Sequence, residues 1–98
     1  MALDLPVEHE ENNGRGRYVM VLPDGTEGEM TYLRRDAQTI IADHTGVPSQ
    51  YRGQGIAEKL VATAMNDARE KGQKIVPVCT YVVAQFRRHP EWADLRAE

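Results

Sequence analysis

The chain has 98 residues, 41% of them hydrophobic and 28% charged, which describes one globular domain with a single modest core. A formal net charge of −3 argues against a nucleic-acid-binding module, and no apolar run approaches the roughly 20 residues that span a bilayer. A single cysteine, Cys79, excludes an internal disulfide and a cysteine-based zinc framework. With no leader-like segment over residues 1–8, the expected location is the cytoplasm, where that thiol stays reduced.

Residues 1–14 carry Glu8, Glu10, Glu11, Asn12, Asn13 and Gly14 and read as a polar, flexible arm, with the folded domain expected over residues 15–98. Arg17 to Leu22 is a short strand, ended by the turn signal Pro23-Asp24-Gly25. Thr26 to Leu33 follows, with Met30 and Tyr32 alternating onto one face. After the polar turn Arg34-Arg35-Asp36, Gln38 to Val47 is a third strand, and such short connections imply an antiparallel meander. From Ile56 to Lys71 the apolar residues 56, 57, 60, 61, 64, 65 and 68 draw one helical stripe, with Gly72 placed as its cap. Lys74 to Cys79 reads as a buried strand despite Pro77. Thr80 to Arg88 reads as a second helix stopped at His89-Pro90, and Glu91 to Ala97 as a last turn packing Trp92 and Leu95. The expected fold class is α+β: an antiparallel β-meander followed by α-β-α.

The stretch Gln50-Tyr51-Arg52-Gly53-Gln54-Gly55-Ile56-Ala57 joins the third strand to the first helix and carries the clearest chemical signal. Two glycines one residue apart let the backbone turn tightly and approach a ligand. The helix start leaves N–H donors without intrahelical partners, with the positive end of the dipole behind them. Together these make an anion site suited to phosphate, and Arg52 can add a charge-assisted contact. Alone, the glycine pair serves a plain turn equally well. There is no Gly-Lys-Ser/Thr for a P-loop, and no third glycine with a following acidic residue for a Rossmann fingerprint.

Val47-Pro48, then Gln50-x-x-Gly53-x-Gly55, then Ile56-Ala57 and Leu60-Val61 resemble the pyrophosphate-binding motif of the GNAT superfamily of acetyl-CoA-dependent N-acetyltransferases. His44-Thr45, Pro77-x-Cys79-x-Tyr81 and Arg88-His89-Pro90-Glu91-Trp92 extend the likeness from about Gly16 to Leu95, nearest to the small single-domain members. The resemblance implies a minimal GNAT-like fold in which the strands before the loop and after the helix splay apart. The pantetheine arm of acetyl-CoA would add along the first of these like an extra strand. It implies that Val47 offers backbone groups to the pantetheine or thioester, a role compatible with a plain buried strand residue. Arg52, Gly53, Gln54, Gly55, Ile56 and Ala57, with Gln50 opening the motif, would hold the pyrophosphate.

Two residues are candidates for catalysis. Cys79 ends the second splayed strand just before a helix, whose N-terminus can lower a thiol's pKa and make it a nucleophile; a buried cysteine acting as a small hydrophobe fits the position equally. His44 can take a proton from an attacking amine or from Cys79, or serve as a structural histidine. His9 and His89 read as surface features. Many GNAT enzymes carry a proton-donating tyrosine seven residues past the end of the second splayed strand; counting from Cys79 reaches Phe86, which donates nothing. Tyr81, two residues past Cys79, is expected to point elsewhere unless the helix register differs. Glu58, Lys59, Asp67, Arg69, Glu70 and Lys71 read as the solvated helix face, Arg87-Arg88 as a surface pair ahead of a contact to the adenosine 3′-phosphate or an acidic partner, and Trp92 as a core plug ahead of an aromatic binding platform. The expected activity is acetyl transfer from acetyl-CoA to an amine, on a protein or another bulky acceptor. The alternative is a non-catalytic acyl-CoA-binding or sensing module. No metal, nucleic-acid or membrane partner is expected.

Overall fold

The computed structural model describes residues 4–97. Five strands form one sheet in chain order: β1 (Glu8–Asn12), β2 (Arg15–Val21), β3 (Glu27–Asp36), β4 (Thr39–Gly46) and β5 (Lys74–Pro77). The first four pair antiparallel, whereas β5, which follows helix α1 (Ile56–Lys71), lies parallel to β4. Helix α2 (Thr80–Arg88) and a 3₁₀ segment, Pro90–Leu95, follow β5.

Period-two alternation gives the sheet one buried face, formed by Tyr18, Met20, Met30, Tyr32, Ile40 and Ala42. Against it lies the apolar stripe of α1, with Ile56, Leu60, Val61, Ala64, Met65 and Ala68 all buried. Burying each larger side chain contributes about 1.5–3 kcal/mol. Gly28 lets the start of α1 sit close on β3, because a Cβ there would stand 2.8 Å from Ile56 Cγ2. At its far end α1 stops at Gly72, after which the Gln73 N–H returns to the Ala68 carbonyl at 2.8 Å.

Arg34-Arg35-Asp36, expected as a polar turn, is the end of β3 and pairs with β4, and two further boundaries differ from expectation. Residues 8–12, expected within the flexible arm, form β1, so the order is β-β-β-β-α-β-α; residues 1–3 of that arm lie outside the described residues. All five β1 residues are exposed, so burial gives the strand no pattern. It is set instead by the two-residue turn Asn13-Gly14 and by charge pairs, Glu10 with Arg17 at 2.7 Å and Glu11 with Arg34 at 2.9 Å. Ahead of it, Leu5 and Val7 pack on the core. The second difference is that β5 ends at Pro77 rather than Cys79. The Val78 and Cys79 N–H groups both bond the Ala42 carbonyl at 3.0 Å, which pinches the chain off β4 and into α2.

That pinch positions the site. β4 and β5 pair from Thr39↔Lys74 to Ala42↔Pro77, and β4 then runs on to Gly46 with β3 as its one partner. Opposite Thr31 and Tyr32 the register skips Asp43, a bulge that re-aims the strand at the point where the two strands part. Among the described residues, no helix is long and apolar enough to cross a membrane.

Candidate functional site

The freed half of β4 leads through Val47-Pro48 and a 3₁₀ turn, Ser49–Tyr51, into the glycine loop. Gly53 (φ 81) and Gly55 (φ 77) both take left-handed backbone, and Gly55 is the N-cap of α1. No side chain caps this helix end. The first-turn N–H groups of Ile56, Ala57 and Glu58 therefore keep their donor capacity, with the helix dipole behind them. A Cβ on Gly53 would meet nothing within 4 Å, so the loop backbone is approachable from outside.

Between these elements lies a cleft of about 590 Å³. The β4 side contributes His44, Thr45, Gly46 and Val47, and the loop contributes Tyr51, Arg52, Gly53 and Gly55. Ile56, Ala57 and Glu58 form the α1 wall, and Tyr81 of α2 closes the cleft. Most of the residues expected to bind the cosubstrate are thus gathered in one place, but Gln50 and Gln54 are not among the lining residues. Gln50 Nε2 donates to Asp24 Oδ2 at 3.0 Å and ties the loop to the β2–β3 turn. The hydroxyl and N–H of Thr26, with help from Gln50, hold the Asp24 carboxyl down at about 2.

The two catalytic candidates fall on different sides of β4. Thr45 pairs opposite the buried Met30, whereas His44 pairs opposite Thr31 on the other face. Thr45 is therefore the residue that reaches Cys79, with its Oγ1 3.5 Å from the Cys79 Sγ. His44 lines the cleft, while half-buried Cys79 sits behind Thr45 at the N-cap of α2 and does not. Burial pushes the Cys79 thiol up, but Thr45 and the N–H groups of Val82, Tyr81 and Thr45 outweigh it and hold the thiol below its ordinary value.

Tyr81 is the lining residue that sequence reasoning set aside. The core stripe of α2 runs through Val82, Gln85 and Phe86, so Tyr81 lies one residue off it, on the first turn and next to the cleft. Burial, then the Glu58 carboxylate, raises its phenol above the ordinary value, so it remains protonated at neutral pH. Phe86 is a core residue, 6% exposed. The helix start just after Cys79 was the available signal for Tyr81, because a first-turn side chain stays beside the strand end it follows.

A family model described as GCN5-related N-acetyl-transferase matches residues 17–95. The NMR solution structure of a GCN5-like N-acetyltransferase candidate from Staphylococcus aureus matches over 91% of this chain and 86% of that one, with a TM-score of 0.66 and 26% identity. The family match spans the glycine loop, both splayed strands and the closing 3₁₀ segment; β1 lies outside it.

Proposed function

The chain belongs to the GCN5-related N-acetyltransferase family and is an acyltransferase, and on that premise we propose that it moves the acetyl group of acetyl-CoA to an amine. The observation that carries this is the freed half of β4 leading through the glycine loop into an uncapped helix start. Backbone donors over residues 53–57 suit a pyrophosphate, with Arg52 adding charge. The edge of β4 from His44 to Val47, left by β5, suits the amide-bearing pantetheine arm. The thioester then belongs at the end of the cleft where His44 and Tyr81 stand.

In direct transfer the amine nitrogen attacks the thioester carbon and His44 takes the proton that the nitrogen sheds. The carbon–sulfur bond to CoA breaks, and the leaving thiolate takes its proton from Tyr81. Tyr81 is protonated at neutral pH, as this step needs, with burial raising its phenol further above the ordinary value. The lowered thiol of Cys79 favours a second reading. There the Cys79 thiolate displaces CoA and carries the acetyl group, and the amine releases it by attacking the S-acetyl carbon. The position of Cys79 behind Thr45 speaks for the direct route. Phe86 favours the non-catalytic alternative, and Tyr81 in the cleft speaks against it. The face of β4 that carries His44 is the one opposite α1, which leaves room for a bulky acceptor such as a protein amine.

The test incubates the protein with acetyl-CoA and a panel of amines, following CoA release and the intact mass of the protein. Acetyl-CoA is expected to raise the melting temperature by mass action on the native state. His44→Ala is expected to lower kcat by about 100-fold with little change in acetyl-CoA affinity. If transfer runs through the thiol, Cys79→Ser slows it at least about tenfold and abolishes an acetyl adduct. Full activity in Cys79→Ser selects direct attack. No stabilisation by acetyl-CoA overturns the proposal.

A further inference from the structure

Beside the main cleft lies a second cavity, of about 310 Å³, that the transfer reaction does not use. Its floor is the N-cap Gly55 with Glu58, Lys59 and Ala62 of α1, and its wall is His89 with Trp92. The two rings stack with centroids 4.0 Å apart and planes 23° from parallel. Gly55 and Glu58 line both cavities, so the two meet at the start of α1. Trp92 does pack on the core, as a plug should, and it also faces this cavity.

The wall is held in place. Arg69 of α1 donates to the Glu91 carbonyl at 2.9 Å and grips Asp94 at 2.8 Å, pinning the 3₁₀ segment to the helix. His89 Nδ1 lies 2.9 Å from Glu91 Oε2. Hydrogen bonding to His89 holds the Glu91 carboxyl below the usual range, so it is an ionised acceptor and His89 Nδ1 is the donor. In the neutral ring, Nε2 is then left as an acceptor.

We propose that this cavity holds the adenine base of acetyl-CoA, stacked on the His89–Trp92 pair; the proposal rests on the acetyl-CoA reading above. In CoA the adenosine and the pantetheine leave the pyrophosphate in opposite directions. With phosphates at the start of α1 and pantetheine on β4, the nucleoside extends from the phosphates away from β4, and this cavity adjoins the cleft at that helix start, through Gly55 and Glu58. The polar groups suit a base with an exocyclic amine better than a phosphate. Glu58 and His89 Nε2 accept, and the one lining cation, Lys59, is engaged by the Leu5 carbonyl at 2.7 Å and by Asp4 at 3.5 Å. Aromatic faces are what nucleobases stack on.

Trp92 is the chain's one tryptophan, so its fluorescence reports on this cavity without background. CoA and 3′,5′-adenosine bisphosphate are expected to quench it and to compete with each other, whereas 4′-phosphopantetheine leaves it unchanged. His89→Ala and Trp92→Leu are expected to raise KM for acetyl-CoA about tenfold, the scale of one lost base–aromatic stack. Acetyl-4′-phosphopantetheine, which lacks the nucleotide, is expected to show less than about a twofold change in KM with either variant. Binding of acetyl-CoA without any Trp92 quench overturns this proposal alone, as does an equal rise in KM for both donors. If Trp92→Leu does not fold, the quench and His89→Ala still decide. No binding of acetyl-CoA at all overturns the functional reading together with it.

Discussion

Two glycine turns in this chain use the same left-handed backbone to opposite ends. At the β1–β2 hairpin, Asn13 (φ 56) and Gly14 (φ 79) reverse the chain, and the surrounding polar groups bond within the fold. The Gly14 carbonyl accepts from the Arg34 N–H at 2.7 Å, and the Arg34 side chain holds Glu11 at 2.9 Å. Between β4 and α1, Gly53 (φ 81) and Gly55 (φ 77) occupy the same region, but the donors that follow them line a cleft with no side-chain cap. Positive φ at glycine therefore does not mark a site. What marks it is where the neighbouring backbone hydrogen bonds go.

The most direct way to break this contrast is to put one side chain in both turns. Gly55→Val is expected to reduce acetyl-CoA affinity at least about 100-fold, since several charge-assisted backbone bonds, each of about 1.5–3 kcal/mol, need close approach. Gly14→Val carries similar strain of about 1–2 kcal/mol, with a melting temperature lower by roughly 5–10 °C, but its affinity should be unchanged. Calorimetric titration of both folded variants decides; equal affinity in the two would erase the distinction.

Arg52→Ala sharpens the open side of the comparison. Its binding of acetyl-CoA is expected to weaken by about 1–3 kcal/mol if the exposed guanidinium meets phosphate, with little change in melting temperature. An unchanged Kd would show that Arg52 serves solvent only.

Glu11 sharpens the closed side. Hydrogen bonds from Arg34 and then Tyr32 hold its carboxyl at about 2, against an ordinary 4.5. Because the folded value is the lower one, the contribution is fully present above pH 4.5 and is lost as pH falls towards 2. Glu11→Gln is expected to lose about 1 kcal/mol at neutral pH, as a partly exposed ion pair should. Asp24 titrates in the same window, so the readout is the gap between wild-type and variant melting temperatures, which narrows on acidification. A gap that stays constant down to pH 2 would remove Glu11 from the latch. The smallest effect belongs to Gln50→Ala, which breaks the tie to Asp24. It is expected to cost less than about 1 kcal/mol and to leave Kd within about threefold. A larger loss of affinity would restore Gln50 as a direct ligand.

Helix α1 was legible to its ends, Ile56 and Lys71, because a stripe of period 3.6 between two glycines admits no competing conformation. The glycine turn and the helix start after it were legible for a related reason: both are local, within eight consecutive residues. Strand β1 was not, because Glu8–Asn12 is exposed throughout and follows no apolar alternation. Its one signal was Asn13-Gly14, a hairpin pair read as the end of an arm.

Sequence by itself pointed to the family, the α+β order after the first hairpin, and the glycine turn that leads into an uncapped helix start. Tertiary structure alone decided which side chains share a space with that segment. Thr45 meets Cys79 across 34 positions because successive residues of β4 face opposite ways, and that same alternation puts His44 on the other side. Tyr81 enters the cleft because two N–H groups converge on the Ala42 carbonyl and end β5 early. His89 and Trp92 face α1 because Arg69 pins their segment there. Each of these depends on where one element stops against another, and no local pattern of residues encodes that.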